Sequence, residues 1–258
     1  FGGAGITSLG ALSRFKIVGG NLTVMLNELD QISTFQLPSL LTVGKAFLGS
    51  QKRSTGAPPV ATMTVNFPAL TSIAASHGVD PSATPRFYNL SYPALLTAQG
   101  DTSFDFSQLQ GMRILTLASS TSSDNAGIHI EDNDDMIALT LGVVHTGKSF
   151  KVRRNFSLKT LLFGQVTVGK AGNGAANEIE ISGNSRLDTL KFAGGAIIGP
   201  LIIRNNSALV SVSGPFGRIG GNVIIDGNPR IRDAALLAWL MTVLSIDGQL
   251  FVGSNAPP

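Results

Sequence analysis

The sequence predicts an all-β solenoid of about ten stacked coils with a helix near its C-terminal end, and three observations predict it. The first is a repeat: an apolar residue, one spacer, an apolar residue, two spacers, Asn, two spacers and another apolar residue. It occurs as Ile128, Ile130, Asn133, Met136; as Phe150, Val152, Asn155, Leu158; as Ile179, Ile181, Asn184, Leu187; as Leu201, Ile203, Asn206, Leu209; and as Val223, Ile225, Asn228, Ile231. The asparagines lie 22, 29, 22 and 22 residues apart. The second is a further apolar column three residues on, at Leu139, Leu161, Leu190 and Val212. The third is an upstream motif of an apolar residue, Pro, a spacer and Leu: Leu37-Pro38 with Leu40 and Val43, Phe67-Pro68 with Leu70 and Ile73, Tyr92-Pro93 with Leu95 and Ala98.

The spacing carries the physics. Two apolar positions separated by one spacer make a strand half-buried against a core. The Asn follows where the chain must bend, and a buried Asn side chain can bond the free N–H and C=O groups of that bend. Asparagines stacked coil on coil then form an inward ladder, and the core is continuous through neighbouring coils.

Taken in order, residues 1–20 carry Ile6, Leu9, Leu12, Phe15 and Ile17 among glycines and read as a partial opening coil. Nothing there forms a polar cap, so this end is expected to expose apolar core and strand edges until another molecule or upstream sequence covers it. Residues 21–126 read as irregular coils with wall loops. Leu22, Val24 and Asn27 match the repeat, the three Pro motifs follow, and Phe104, Phe106 and Leu109 begin another coil. Pro has a fixed φ and no N–H to donate, so these coils are expected to turn on Pro where later ones turn on Asn. The stretches Gly49 to Pro59 and Ala74 to Pro85 read as excursions from the wall.

Residues 127–231 are the regular Asn-ladder coils, and the single long interval, holding Gly169, Gly172, Asn173 and Gly174, reads as a bulged loop. In residues 232–258, Asp233 is expected to cap a helix from about Ala234 to Ser245, with Leu236, Leu237, Leu240, Val243 and Leu244 as its apolar stripe. This helix would lie over the last full coil as a lid, with Leu250, Val252 and Asn255 beginning one more strand. At ~4.8 Å per stacked strand the body would be on the order of 50 Å long. One solenoid over residues 1–258 is the expected domain organisation.

Composition supports a packed interior: 43% of the 258 residues are hydrophobic and 14% charged, which excludes a charged disordered protein. A net charge of +3 from dispersed Lys and Arg, with two Tyr and one Trp, argues against nucleic-acid binding. Without cysteine there is neither a disulfide framework nor a thiolate metal site. The longest apolar run, Leu236 to Leu244, falls short of the ~20 residues of a membrane span. The opening on Phe1, without a signal-peptide profile, reads as a processed or excised segment whose signal and anchor lie elsewhere.

The repeat, combined with the segment Phe67-Pro68-Ala69-Leu70-Thr71-Ser72-Ile73 and with a C-terminal stretch of strand, Gly-Asn-Pro and apolar helix over Asn222 to Leu244, resembles the receptor L domain family. That family includes the ligand-binding solenoids of insulin and epidermal growth factor receptors and fungal GPI-anchored cell-wall proteins. The resemblance implies a right-handed parallel β-helix, leucine-rich-repeat-like, outside the cell, and implies no catalytic residues. The chain departs from receptor L domains in lacking cysteines and in having more coils, which favours a cell-wall or surface protein over a signalling receptor.

Among candidate sites, Glu131, Asp132, Asp134 and Asp135 surround Asn133, and four carboxylates in five residues could hold Ca²⁺ or supply an acid/base pair. The repeat offers a competing account, since adding 22 places Glu131 beside Arg153 and Asp132 beside Arg154 as an interlocking charge ladder. No pair among His77, His129 and His145 has metal-ligand spacing, and no Ser sits in a Gly-x-Ser-x-Gly elbow. Gly214, Gly217, Gly220 and Gly221 read as coil corners. The structural ladder is expected at Asn27, Asn133, Asn155, Asn184, Asn206 and Asn228. Sequons occur at Asn21, Asn89, Asn155 and Asn205; Asn155 is expected to face inward and to be closed to a glycan, which leaves Asn21, Asn89 and Asn205 as glycosylation candidates.

These readings lead to a non-enzymatic extracellular or cell-surface protein of structural or adhesive role, presenting a solenoid surface to a protein or glycan, without a cofactor. Two alternatives accompany it. One is a self-assembling fibre or sheath subunit, a homo-oligomer joined through the uncapped N-terminal coil. The other is a polysaccharide lyase or hydrolase of the β-helix kind, which would need carboxylates and an Arg or Lys converging in one groove.

Overall fold

Alternating apolar residues bury every second side chain, and coils that repeat them in register stack those side chains into columns. The computed structural model describes residues 10–20, 22–25, 34–44, 47–50, 63–73, 88–98, 103–109, 112–122, 126–169, 177–253 and 255. It is an all-β solenoid of parallel strands with one short helix near the C-terminus. A narrow, seven-stranded sheet is formed by Phe104–Asp105, Ile128–Glu131, Phe150–Arg153, Ile179–Ser182, Leu201–Arg204, Val223–Asp226 and Leu250–Gly253, stacked in chain order. Facing it is a wide, 13-stranded sheet whose longer members include Tyr88–Ala98, Met112–Thr121, Ala138–Thr146, Thr160–Val168 and Thr189–Ile197.

The register follows the sequence period. Ile128 pairs with Phe150, Phe150 with Ile179, Ile179 with Leu201, and Leu201 with Val223. The 29-residue step preserves register on both walls, because Val168 pairs with Ile197 across the same interval. The expected bulged loop lies between Gly169 and Asn177, and residues 170–176 are outside the described set.

Inside, the aliphatic columns are joined by rings. Phe163 stacks on Phe192 with centroids 5.0 Å apart, Phe192 meets Phe216 edge-on at 5.0 Å, and Phe67 stacks on Tyr92 at 5.6 Å. All five are buried.

Three expectations are corrected. The first is the coil count: among the described residues the narrow sheet has seven strands and the solenoid about seven turns, where ten were expected, and this wall is roughly 30 Å long at the usual strand spacing. Upstream segments add strands to the wide sheet, while Leu22–Met25 and Phe47–Ser50 pair in a separate two-stranded sheet.

The second concerns Pro. Leu37-Pro38 and Phe67-Pro68 do not replace the Asn corner. They interrupt the wide sheet, where Phe35 pairs with Val65, Val65 with Leu90 and Leu90 with Leu115. Each makes a tight turn, with Leu40 N–H donating to Leu37 O and Leu70 N–H to Phe67 O. At Tyr92-Pro93 the chain stays extended, and the register slips by one residue between Leu117 and Ser119, a bulge that accommodates a residue with no N–H.

The third is the C-terminal helix, which spans Asp233–Leu240 and buries Leu236 and Trp239; Leu237 and Leu244 face solvent. Arg232, rather than Asp233, is the N-cap, and it makes no side-chain cap bond. Val243–Ile246 leaves the helical path to pair with Phe216–Ile219, because the open edge of the wide sheet offers ladder hydrogen bonds that override the helical period. The helix packs against the strand Ser211–Ser213 and sets Trp239 against Phe192.

Every Asn corner uses the same backbone device. Gln108, Asp132, Arg154, Gly183, Asn205 and Gly227, each one residue before the Asn column, all have φ between 53° and 68°. Each donates its N–H to the next coil, as Arg154 does to Ser182 O at 3.0 Å and Asn205 to Asp226 O at 3.0 Å. Left-handed backbone costs about 1–2 kcal/mol for a residue with a Cβ. Gly227→Ala is therefore expected to lower stability by about 1–2 kcal/mol in urea unfolding, because it adds that cost at φ +66° and places a Cβ 2.3 Å from the Asn205 side-chain oxygen. An unchanged midpoint would contradict the shared corner.

Residues 10–14 form a short 3-10 helix, Ile17–Val18 pairs with Thr42–Val43, and Phe15 and Ile17 are exposed. Asn21, Asn27 and the segments 51–62 and 74–87, which hold most of the two expected excursions, lie outside the described residues.

Candidate functional site

The Asn column is continuous. In each coil the Asn side-chain oxygen accepts the backbone N–H of the preceding Asn: Asn155 from Asn133 at 3.0 Å, Asn184 from Asn155 at 3.0 Å, Asn206 from Asn184 at 3.1 Å, and Asn228 from Asn206 at 3.0 Å. The amide nitrogens donate to strand carbonyls, Asn155 to Ile130 O and Asn184 to Val152 O among them. All five asparagines from 133 to 228 are fully buried. Asn255 extends the column, accepting from Asn228 N–H at 3.0 Å, and Leu109 N–H joins it at the other end by donating to Asn133 at 2.7 Å. The structure thus places Asn155 inside and leaves Asn205 exposed. Asn89 is partly buried in the strand Tyr88–Ala98, and its side-chain oxygen is buried without a hydrogen-bond partner.

The outward face of the narrow sheet gathers the charged residues. Two outward positions per strand give two columns: Asp105, His129, Lys151 and Glu180 in one, Glu131, Arg153, Ser182, Arg204 and Asp226 in the other. Arg153 Nη2 holds both Glu131 oxygens at 2.7 and 2.9 Å, while its Nη1 reaches Glu180 on the following coil at 3.4 Å. Glu180 also accepts from Arg204 at 2.9 Å and from the Ser182 hydroxyl at 2.9 Å. Arg154 grips Asp132 through Nε at 2.7 Å and Nη2 at 2.8 Å, and touches Glu131 at 3.2 Å. Lys151 pairs with Glu178 at 3.0 Å. Guanidinium groups therefore bridge four consecutive strands.

The acidic cluster is divided by this geometry. Glu131 and Asp132 turn to Arg153 and Arg154, Asp134 is exposed and Asp135 half-buried. Among the described residues no group of three or more His, Cys, Asp or Glu is placed to hold a metal ion. The paired residues beyond Arg153 and Arg154, namely Glu180, Arg204, Lys151 and Glu178, were not picked out from the sequence. Continuing the same register arithmetic by 29 from Lys151 and by 22 from Ser182 leads to Glu180 and Arg204.

The electrostatics have a sign. The hydrogen bond from Arg154 holds Asp132 below its ordinary carboxylate range, and the same bond raises the Arg154 guanidinium. Burial pushes Glu180 up, but the hydrogen bonds from Arg204 and Ser182 and the charges of Arg153 and Arg204 outweigh it, so Glu180 also lies low. Burial lowers His129 against the opposing pull of Glu131 and Asp105, and burial beside Asp135 raises Asp134.

For Asp132 and Glu180 the folded value is depressed, so their stabilisation is complete above the ordinary values of 3.8 and 4.5 and is lost as pH falls through the folded ones. His129 adds loss in the same direction below 6.5, since the unfolded chain takes its proton first. Asp134, with a raised value, works against folding as it ionises. Calorimetry is expected to show a melting temperature that falls from pH 7 to pH 3, with Glu180→Gln flattening the acid limb and His129→Gln the limb just below 6.5. A pH-independent melting temperature would contradict this network.

Chemically, Glu131, Asp132, Glu178 and Glu180 are each held by an Arg or Lys of a neighbouring coil, so these pairs join coils to one another. Comparison of the chain with family models, with curated proteins and with solved structures finds no match in any of the three.

Proposed function

We propose that the chain is a non-enzymatic extracellular or cell-surface solenoid of structural or adhesive role, which presents its outer walls to a protein or a glycan. The observation that carries this reading is the state of the narrow face. Its buried carboxylates, Glu131 and Glu180, are committed to Arg153 and Arg204, so the charged residues serve cohesion between coils and leave the walls as rigid display surfaces. The resemblance to receptor L domains supports the same reading.

The test is retention of the purified chain on intact cell surfaces and on insoluble polysaccharides, with release of reducing or unsaturated ends measured in parallel. Retention without product release is expected. Product release that scales with protein and is abolished by Glu131→Gln or His129→Gln would replace the proposal with a polysaccharide-active enzyme.

A further inference from the structure

The outward face of the wide sheet differs from the charged narrow face. Thr116 stands in register with Thr140, Thr160 with Thr189 and Ser211, and Thr121 with His145 and Thr167. Parallel strands in register repeat such groups every ~4.8 Å along the stack.

Where this face crosses the strands Thr160–Val168, Thr189–Ile197 and Phe216–Ile219 it sinks into a groove of about 490 Å³. That volume lies within the roughly 300–1,000 Å³ of small-ligand sites. The sequence explains the depression: Thr167 on one coil is followed in register by the smaller Ala196 on the next, with Gly169 and Gly220 beside them. A Cβ on Gly220 would lie 2.3 Å from Ile198 O, so that part of the lining is bare backbone by necessity.

The walls are mixed. Thr167 brings a hydroxyl, Ile198 an apolar rim that is 45% exposed, and Arg218 a guanidinium that is 70% exposed. Arg218 is fastened to Asp247 through Nε at 2.7 Å, so the groove ends on an ion pair of no net charge. A pyranose ring suits this set of groups. Its C–H face packs on an aliphatic rim, and its adjacent hydroxyls both donate and accept, matching a guanidinium donor beside a carboxylate acceptor. A polyanion would gain from Arg218 and lose against Asp247.

We propose that this groove binds a neutral polysaccharide chain lying along the stacking axis. The proposal rests on the display reading above and narrows it to one wall and one ligand class.

Affinity electrophoresis of the full chain through gels holding soluble β-glucan, xylan, hydroxyethyl cellulose or polygalacturonate tests it. Retardation by at least one neutral polymer is expected, weakened about tenfold or more by Ala196→Trp, which fills the groove from outside the core, and by Arg218→Ala, while Lys151→Ala on the narrow face changes it less than about twofold. Arg218→Ala keeps the test decisive if Ala196→Trp misfolds. Retardation unchanged in both groove variants, retardation by polygalacturonate alone, or none by any polymer would overturn the proposal. Loss of retardation with Lys151→Ala alone would overturn the groove and keep glycan display. Retention on cells without retardation in any gel would overturn the groove and point display toward a protein.

Discussion

Replacing Asn184 with Ala is expected to destabilise the protein by about 3–5 kcal/mol, the loss associated with breaking a fully buried hydrogen-bond network. The Asn184 oxygen accepts from Asn155 N–H at 3.0 Å and from Asn155 Nδ2 at 3.2 Å, and its own Nδ2 donates to Val152 O at 3.0 Å and to Asn206 at 3.1 Å. Alanine orphans Asn155 N–H and Val152 C=O inside the solenoid, where water cannot replace them. Each orphan costs about 1–3 kcal/mol. Asn255→Ala is the control: Asn255 is only half-buried at the end of the same column, so solvent can take over its bonds to Asn228 and Ile225, and a loss of about 1 kcal/mol is expected. Urea midpoints compare the two. An Asn184→Ala midpoint equal to that of Asn255→Ala would show that the buried ladder contributes nothing special.

Phe192→Ala should cost a similar amount, about 3–5 kcal/mol, for a different reason. Phe192 is fully buried between Phe163 and Phe216, with Trp239 of the helix 6.2 Å away. Its removal leaves a cavity joining three coils and the helix, and aromatic neighbours on a rigid backbone cannot collapse to fill it. Phe156, exposed on the turn after Asn155, is the matched control, and Phe156→Ala should lie within about 0.5 kcal/mol of wild type. The unique Trp239 offers a fluorescence signal, whose shift on Phe192→Ala would report loosening of the helix.

What could be read from the sequence was whatever repeats. The columns of Ile128, Phe150, Ile179, Leu201 and Val223, the Asn ladder and the pairing of Glu131 with Arg153 follow from adding a period to a residue number, because parallel stacking converts sequence period into contact. The ladder's two ends were less visible. Leu109 occupies the column one coil above Asn133 while contributing only its N–H, and Asn255 follows Asn228 by 27 residues rather than 22.

The misread parts are places where two physical effects compete. Val243 and Leu244 continue a helical apolar pattern, yet the β-branched Val243 and Ile246 beside an open sheet edge pair as a strand. The Pro motifs have the same tight-turn bond as the Asn corners, Leu40 to Leu37 matching Leu158 to Asn155, so local spacing could not tell which wall they belong to. The groove on the wide sheet had no motif at all. It lies where Thr167 on one coil is followed by Ala196 on the next, beside Gly169 and Gly220, which becomes visible only once the register is known.

Residue-resolved amide hydrogen exchange tests the stacked ladder most directly. The backbone N–H groups of Asn133, Asn155, Asn184, Asn206 and Asn228 should be among the slowest in the protein, exchanging only by global unfolding, while those of Asp134, Phe156, Ser185 and Ser207 on the exposed turns exchange orders of magnitude faster. Ladder amides that exchange as fast as their turn neighbours would contradict a continuous Asn column at the heart of the fold.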